Sequence, residues 1–280
     1  MTDPRVTPTN GRVAHVSLEG VAEAERFVEG RWMSVQQPIV NLTDTPRGNR
    51  TTQLLFGERF LVLDEEDGLV FGQCEKDGYV GYLAAGALAP AEVATHWITA
   101  PATHLYPRPD FKAPPDVSLF FGARVTVTGE ERNGYHRIST GHFIPAQHAM
   151  PVRATFADPL GVADLFLGTP YLWGGSSRWG LDCSGLVQMA FLACGVDCPR
   201  DSDQQEDSLG DFLGPEDVLR RGDLVFWEGH VGMMANETML LHANAHHMAV
   251  AYEPLAEARA RIADREFGPI TARKRVQIGR

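Results

Sequence analysis

Two kinds of hydrophobic pattern divide this chain of 280 residues. Between residues 31 and 150, short β-type runs such as FLVL (60–63) and RVTVT (124–128) are bounded by Gly, Asp, Asn or Pro. After residue 150 a helical segment comes first, and three strand-like runs follow it. The first thirty residues are polar apart from one possible short helix, VAEAERFVEG (21–30). The pattern therefore predicts a β-rich N-terminal part and an α+β C-terminal part.

The β-rich part contains a weak internal repeat. LLFGERFLVL (54–63) is similar to LFFGARVTVT (119–128), and each copy continues into a turn with Gly, EEDGLV (65–70) or EERNGY (130–135). The Pro-rich segment PRPDFKAPPD (107–116) predicts a loop, because proline cannot donate a hydrogen bond to a sheet. We expect a lead-in (1–30), two small β units (31–90 and 91–151) and a C-terminal domain (152–280).

One helix is clearly predicted after the motif PYLWGGSSRWGLDCSGLV (170–187). Its apolar positions have helical spacing: Cys183, Leu186, Val187, Ala190, Phe191 and Cys194. Asp182 is the expected N-cap, and Gly195 the expected stop. Cys183 would lie in the first turn, where the helix dipole is expected to lower the pKa of its thiol. On helix geometry alone, a small buried core residue is the simpler interpretation of Cys183, and Cys74, Cys194 and Cys198 are interpreted as structural.

Two histidines follow on a predicted hairpin, HVGMMA (230–235) and TMLLHA (238–243). A turn centred on Asn236 would place His230 opposite His242, and a shifted centre would make them diagonal neighbours. With an upstream cysteine they form a nucleophile, base and orienting residue, in which His230 accepts the thiol proton and His242 orients His230. His246 and His247 extend the cluster, so a transition-metal site is the competing hypothesis. It is disfavoured because no acid or cysteine lies beside these histidines at ligand spacing, and we expect no metal and no cofactor.

Charge and composition restrict the class of partner. Lys and Arg number 25 against 36 Asp and Glu, a formal net charge of −11, which argues against binding to nucleic acid or to a membrane surface. The first twenty residues lack the basic and apolar regions of a signal peptide, and no apolar run approaches the ~18 residues of a membrane span. We therefore expect a cytoplasmic protein, with a removed leader as the alternative. The oligomeric state stays open.

The ordered motifs GTPYLWGG, LDCSGLV, PRDSDQQ, GDLVFW, HVGMM and LLHA resemble those of the NlpC/P60 family of cysteine peptidases over about residues 152–280. The two β units resemble bacterial SH3-like (SH3b) barrels. The whole chain is similar to the YkfC-like γ-D-glutamyl-L-diamino acid endopeptidases, the dipeptidyl-peptidase VI group. The resemblance implies an α+β, papain-like catalytic domain, with a Cys-bearing helix on an antiparallel sheet, preceded by two small SH3-like β-barrels.

The resemblance also assigns catalytic roles. Cys183 matches the family's nucleophile, His230 its base and His242 its third polar residue. Tyr171 matches a tyrosine near the nucleophile, a candidate oxyanion donor together with the backbone N–H of Cys183.

Further residues match the substrate-binding positions of the family. Asp182 and Ser184 match the D-Glu subsite, Arg200 and Asp201 match the segment that binds the free amino end, and Trp173 belongs to the same motif as Tyr171. Glu58 and Tyr82 of the first barrel match residues that close the site over an N-terminal L-Ala. The competing interpretation is that Glu58 is a solvated turn residue and Tyr82 a core aromatic residue.

The implied function is hydrolysis of the γ-D-glutamyl–diamino acid bond of free muropeptides that carry an unblocked N-terminal L-Ala, in cell-wall peptide recycling. Whether the diamino acid is diaminopimelate or lysine stays open. Two alternatives remain: a wall-fragment binding protein with a vestigial peptidase domain, and an exported peptidoglycan hydrolase whose signal was removed.

Overall fold

The computed structural model describes residues 3–129, 131–214 and 216–279. The chain divides into two compact units, residues 1–154 and 155–280. Among the described residues, no helix is both long enough and apolar enough to cross a membrane.

The lead-in is a small two-stranded sheet. Strands β1 (Val13–His15) and β2 (Arg26–Val28) pair in parallel. The helix predicted over residues 21–30 is therefore wrong. Val28 packs into a buried apolar cluster with Val13, and Arg26 forms an ion pair with Asp64 at 2.7 Å. These tertiary contacts outweigh the marginal helical preference of so short a segment.

The first barrel is one antiparallel sheet of seven strands in the order β5-β4-β8-β7-β6-β3-β9. Its strands are β3 (Arg31–Val35), β4 (Ile39–Thr43), β5 (Arg50–Leu55), β6 (Arg59–Glu66), β7 (Leu69–Cys74), β8 (Val80–Ala84) and β9 (Leu88–Pro90). The hairpin between β6 and β7 turns at Asp67 and Gly68, both with positive φ (51° and 76°). Two successive positive φ values are the geometry that a tight two-residue hairpin requires.

The second barrel repeats this order of elements in smaller sheets. Its strands are β10 (His96–Ile98), β11 (Ala102–Leu105), β12 (Val117–Phe120), β13 (Arg124–Val125), β14 (Tyr135–Arg137), β15 (Phe143–Pro145) and β16 (Ala149–Pro151). Asn133 and Gly134 repeat the positive-φ hairpin turn (52° and 77°). A 3₁₀ turn precedes the last strand of each barrel, Ala85–Ala87 in the first and Ala146–His148 in the second.

The second copy of the predicted repeat is only partly regular. The strand predicted over residues 124–128 is regular only at Arg124–Val125, and Val127 forms an isolated bridge with Ile138. The second predicted turn begins at Glu130, which lies outside the described residues. The Pro-rich segment 107–116 is a loop between β11 and β12, as predicted.

The two barrels share a contact around Gly57. The backbone N–H of Arg124 donates to the carbonyl of Phe56 at 2.7 Å. A Cβ atom on Gly57 would lie 2.0 Å from the carbonyl oxygen of Arg124, and the φ of Gly57 is +76°. Only glycine satisfies both the conformation and the close approach of the two backbones.

The second unit is built on a six-stranded antiparallel sheet in the order β19-β24-β20-β21-β22-β23. Its strands are β17 (Ser176–Ser177), β18 (Gly180–Leu181), β19 (Asp211–Phe212), β20 (Leu224–Trp227), β21 (His230–Met234), β22 (Met239–Asn244), β23 (Ala249–Pro254) and β24 (Ile270–Arg275), of which β17 and β18 form a separate hairpin. Its helices are α1 (Pro159–Asp164), α2 (Cys183–Ala193), α3 (Ser202–Ser208) and α4 (Leu255–Arg265).

Helices α2 and α4 both pack on strands of this sheet. Helix α2 contacts β21 and β22, and α4 contacts β22 and β23. The apolar side of α4, with Ala258 and Ile262, is buried against Val225, Met234 and Leu240. The first turn of α2 is thereby placed beside the strand that carries His230.

Candidate active site

The start of α2 places the predicted nucleophile. Asp182 has extended backbone angles, and its carboxylate accepts a hydrogen bond at 2.7 Å from the backbone N–H of Gly185. Cys183 is the first helical residue, and Gly195 follows the helix with a φ of +75°. The predicted N-cap and stop are therefore confirmed.

The Cys183 thiol is buried, with 6% of the residue exposed. Burial, and then the nearby Asp182 carboxylate, raise its pKa to about 12, although hydrogen bonds from the backbone N–H groups of Val231 and Ser184 act in the opposite direction. The prediction that the helix terminus lowers this pKa is wrong, because desolvation of the thiolate outweighs the amides of the first turn. Val231 is the residue that follows His230 in the chain.

The two histidines are hydrogen-bonded. Nε2 of His230 lies 2.9 Å from Nδ1 of His242, and both residues are buried. The strand register pairs Met233 with Leu241, so the hairpin is centred on Glu237 rather than on Asn236. The histidines are therefore diagonal neighbours on one face of the sheet, which is the alternative arrangement, and not directly opposite.

Beyond His242 the structure places an acid that the sequence reasoning missed. Nε2 of His242 lies 3.0 Å from Oε2 of Glu253 on β23. Arg261 of α4 donates from Nε to Oε1 of Glu253 at 3.1 Å and from Nη2 to Oε2 at 2.7 Å. The signal in the sequence was a further strand after HANAHH, whose alternation places Glu253 on the same face as His242. The result is a continuous series of hydrogen bonds from His230 through His242 and Glu253 to Arg261.

These contacts set the charges of the site. Burial, and then His242, lower the pKa of His230 to about 3, and burial lowers the pKa of His242 although Glu253 acts against it. Burial opposes ionisation of Glu253, but hydrogen bonds from His242 and Arg261 outweigh it and lower its pKa to about 2. At neutral pH the thiol and both imidazoles are therefore neutral, and Glu253 is an anion.

Tyr171 lies close to the thiol. Its backbone forms an isolated bridge with Leu181, the residue before the N-cap, and its N–H donates to the carbonyl of Met248 at 2.9 Å. Burial, and then the neighbouring Cys183, raise the pKa of the half-buried Tyr171 hydroxyl. The hydroxyl therefore keeps its proton at neutral pH and is available as a hydrogen-bond donor.

Asp182, Ser184 and Arg200 form one buried network. Arg200 is 1% exposed and donates from Nη1 and Nη2 to the two Asp182 oxygens at 3.0 and 2.8 Å. Nη1 also donates to Oγ of Ser184 at 2.9 Å, and the backbone N–H of Gly174 donates to Asp182 at 2.7 Å. These contacts attach the glycine loop to the start of α2. Their expected substrate-binding roles stay predictions.

Asp201 and Trp173 occupy two further positions in the same unit. Asp201 is the N-cap of α3 and forms a capping box with Gln204, whose side chain accepts from the Asp201 N–H at 3.4 Å. Trp173 is 65% exposed in the loop that precedes the β17–β18 hairpin. Their binding roles are likewise predictions.

Glu58 and Tyr82 belong to the first unit. Glu58 is paired with Lys76 at 2.9 Å and also accepts from the backbone N–H of Leu55 at 3.0 Å, so it is not simply a solvated turn residue. Tyr82 packs against Phe71, with ring centroids 5.1 Å apart, and lines a polar cavity of about 450 Å³ together with Arg12. The closing role expected of Glu58 and Tyr82 remains a prediction.

The structure places an acidic side chain, Glu253, near the histidines of the competing metal-site hypothesis. Ligand atoms of His242, His247 and Glu253 lie within 4.8 Å of one another. However, His242 and Glu253 already bond to each other, Arg261 occupies both Glu253 oxygens, and Nδ1 of His247 lies 3.0 Å from Asn244. A metal ion at this place would have to replace these hydrogen bonds, which disfavours the metal site. The absence of a metal remains a prediction.

Comparisons with known proteins agree with this architecture. The NlpC/P60 family profile matches residues 168–262, and that of the bacterial dipeptidyl-peptidase SH3 domain matches residues 42–88. Gamma-D-glutamyl-L-lysine dipeptidyl-peptidase of Bacillus subtilis is 33% identical over 218 residues, which are 69% of this chain and 71% of that protein. Dipeptidyl-peptidase 6 of Lysinibacillus sphaericus is 37% identical over 121 residues, 42% of each chain.

A solved NlpC/P60 family protein from Bacillus cereus has the same fold, with a TM-score of 0.72 at 19% identity over 87% of this chain and 99% of that one. The chain belongs to the NlpC/P60 family of cysteine peptidases and carries the associated SH3-type domain. The predicted family, fold class and enzyme class are confirmed. The matched region contains all the residues of the hydrogen-bonded series from His230 to Arg261.

Proposed function

We propose that this enzyme hydrolyses the γ-D-glutamyl–diamino acid bond of free muropeptides with an unblocked N-terminal L-Ala, as part of cell-wall peptide recycling. The observation that carries the proposal is the hydrogen-bonded pair of His230 and His242, together with the helix-terminal Cys183, whose thiol accepts from the backbone N–H of Val231, the residue that follows His230. The names of the two relatives support the bond, since both are dipeptidyl-peptidases and one is named gamma-D-glutamyl-L-lysine dipeptidyl-peptidase.

In the proposed reaction the neutral thiol loses its proton as it attacks. The proton passes from Sγ of Cys183 to Nδ1 of His230, because Nε2 is bound to His242. The sulfur forms a bond to the γ-carbonyl carbon of D-Glu, and the carbonyl π electrons move to oxygen. The Cys183 backbone N–H, which has no partner within the helix, and the Tyr171 hydroxyl stabilise this oxyanion.

The intermediate then collapses to an acyl-enzyme. The C–N bond breaks, and protonated His230 transfers its proton to the leaving amine of the diamino acid. Water, deprotonated by His230, attacks the thioester and releases the L-Ala-γ-D-Glu dipeptide together with the free thiol. No oxidant, reductant or cofactor is needed for this sequence.

A free α-amine in a binding pocket requires an anionic partner. Asp201 offers a half-buried carboxylate in the same unit as Cys183. We propose that it binds the amino group of L-Ala, so that N-acetylation of the substrate prevents binding.

The test is release of the diamino acid from purified enzyme with L-Ala-γ-D-Glu-diaminopimelate and with the lysine analogue, in reducing buffer. Turnover that is absent in Cys183→Ala supports the proposal. Tight binding of both peptides without release would instead support the alternative of a wall-fragment binding protein, and activity on intact sacculi would support an exported hydrolase. The cytoplasmic location stays a prediction, tested by cell fractionation.

A further inference from the structure

We propose that Glu253, held by Arg261, is a positioning residue that fixes the tautomers of both histidines, so that Nδ1 of His230 keeps the lone pair with which it accepts the Cys183 proton in the proposed reaction. Its catalytic meaning rests on the proposed function, but the tautomers can be measured without any substrate. The residues concerned come from three elements that the sequence places after His230, namely β22, β23 and α4.

The geometry permits one assignment of protons. An ionised carboxylate can only accept hydrogen bonds, so the 3.0 Å contact between Glu253 and Nε2 of His242 requires a proton on that nitrogen. Nδ1 of a neutral His242 then carries a lone pair and can only accept. The 2.9 Å contact from Nε2 of His230 therefore requires the proton on Nε2, which leaves the lone pair of His230 on Nδ1.

Arg261 keeps Glu253 in the state that this assignment needs. The guanidinium contacts both carboxylate oxygens, at 3.1 and 2.7 Å, and also pairs with Glu266. The charged and titratable groups around Glu253 are thus Arg261 and Glu266 from α4 and its end, His242 from β22, and His247 from the following loop. Only Arg261 is a permanent cation, and its two contacts also restrict the carboxylate to one orientation.

Without the carboxylate, His242 can reverse its tautomer. An amide at position 253 offers one oxygen acceptor where the carboxylate has two, and both Arg261 and His242 need one. If the proton of His242 then lies on its Nδ1, that nitrogen donates to Nε2 of His230. Nε2 of His230 must then accept, so the single ring proton of His230 lies on its own Nδ1. That tautomer carries its proton on Nδ1 and cannot accept the Cys183 proton there, so it is unproductive for the proposed attack.

The first experiment reads the tautomers directly. Two-bond ¹H–¹⁵N correlation spectra of ¹⁵N-histidine-labelled full-length protein are recorded for wild type, Glu253→Gln and Glu257→Gln. Glu257 is an exposed acid in the first turn of the same helix as Arg261, so it controls for the loss of one carboxylate. We expect both rings protonated at Nε2 in wild type and in Glu257→Gln, and a mixed population in Glu253→Gln. A wild-type His242 protonated at Nδ1 would overturn the proposal even if no variant folds.

The second experiment measures the consequence for Cys183. In Glu253→Gln, two rates should each fall on the order of 10²-fold: alkylation of Cys183 by iodoacetamide at pH 8, and kcat on the tripeptide. This loss is smaller than the ~10⁴-fold loss of kcat in a triad whose catalytic histidine is left in the wrong tautomer by a change in its direct hydrogen-bond partner. KM should stay within about twofold, and Glu253→Asp should restore part of the rate. The acid limb of kcat/KM should move to lower pH, because loss of the Glu253 anion lowers the pKa of both histidines.

A purely structural role would lower the amount of folded enzyme without moving the acid limb. Equal alkylation rates in folded wild type and Glu253→Gln would refute the positioning role. If the tautomers and the alkylation rates behave as expected while wild type cleaves neither peptide, the proposed substrate is wrong and the positioning role stands.

Discussion

Arg200 binds Asp182 through both of its terminal nitrogens, at 3.0 and 2.8 Å, inside the second unit. This geometry gives the pair a structural function that its motif alone does not reveal. We predict that Arg200→Ala destabilises the second unit by about 3–5 kcal/mol, because it leaves the buried Asp182 carboxylate without its cation and with only backbone N–H donors. Chemical denaturation, followed by hydrogen exchange of the α2 amides, measures this loss.

Arg200→Lys is the matched comparison, since it keeps the charge but loses the two-pronged contact. We expect an intermediate stability. If Arg200→Ala were as stable as wild type and raised only KM, the direct substrate-binding role expected from the sequence would be favoured over the structural one.

The buried thiol predicts a distinctive pH dependence of labelling. Because the pKa of Cys183 is raised to about 12, only a small fraction of thiolate exists at neutral pH, and alkylation by iodoacetamide should be slow at pH 6 and rise steadily up to pH 10. Mass spectrometry of the labelled peptide gives the rate, with Cys183→Ala as the blank. A fast plateau at pH 6 would indicate a preformed thiolate–imidazolium pair instead.

Lowering the pH should destabilise the second unit, because proton uptake by Glu253 and by His230 reduces the free energy of unfolding in acid. The stabilisation from ionised Glu253 is complete above its ordinary pKa of 4.5 and is lost as the pH falls through about 2. His230 stays neutral in the folded chain down to about pH 3, while the unfolded chain takes up a proton below 6.5, so acid favours unfolding throughout that interval. Each group contributes a slope of at most about 1.4 kcal/mol per pH unit.

We therefore expect the free energy of unfolding, measured by hydrogen exchange of the β21 amides, to fall as the pH is lowered from 7 to 4. His230→Asn should flatten this fall, since asparagine takes up no proton. An unchanged slope in that variant would mean that other groups dominate the acid response.

Tyr171→Phe tests the oxyanion donor. Loss of one such donor typically lowers kcat by about 10²–10³-fold, and KM should change little because the interaction forms as charge develops. Since the pKa of Tyr171 is raised, its ionisation should not produce the basic limb of the wild-type pH profile. A normal kcat in Tyr171→Phe would remove this residue from the catalytic set.

In the first unit, Gly57→Ala should be far more damaging than Gly134→Ala. Both glycines have a φ near +76°, but a Cβ on Gly57 meets the Arg124 carbonyl at 2.0 Å, whereas a Cβ on Gly134 meets nothing within 4 Å. Backbone strain alone is worth about 1 kcal/mol, and the steric clash at Gly57 adds to it. Thermal unfolding of the two variants compares them, and equal melting temperatures would contradict the interpretation.

The parts of the site that sequence could predict are those set by local periodicity. Helical spacing located α2, and the polar residue before it was correctly identified as the N-cap. The even spacing of His230 and His242 correctly placed them on one face. It left two registers open, and the structure has the diagonal one, with Asn236 accepting from the N–H groups of Thr238 and Met239 in the turn.

The remaining features depend on tertiary structure. Glu253 and Arg261 come into contact with the site only when β23 pairs with β22 and α4 packs on these strands. No short sequence spacing predicts this packing. The predicted direction of the Cys183 pKa shift was wrong for a similar reason. The burial that raises this pKa is a property of the folded unit and not of the helix terminus alone.

Strand β24 inserts between β19 and β20, although it follows every residue of the site along the chain. During synthesis, Cys183, His230, His242, Glu253 and Arg261 are therefore all made before the sheet that supports them can be completed. A chain that stops short of Ile270 would expose the unpaired edge of β20, the neighbour of the strand that carries His230. We therefore expect a partly made or clipped chain that lacks β24 to be prone to aggregation through this edge.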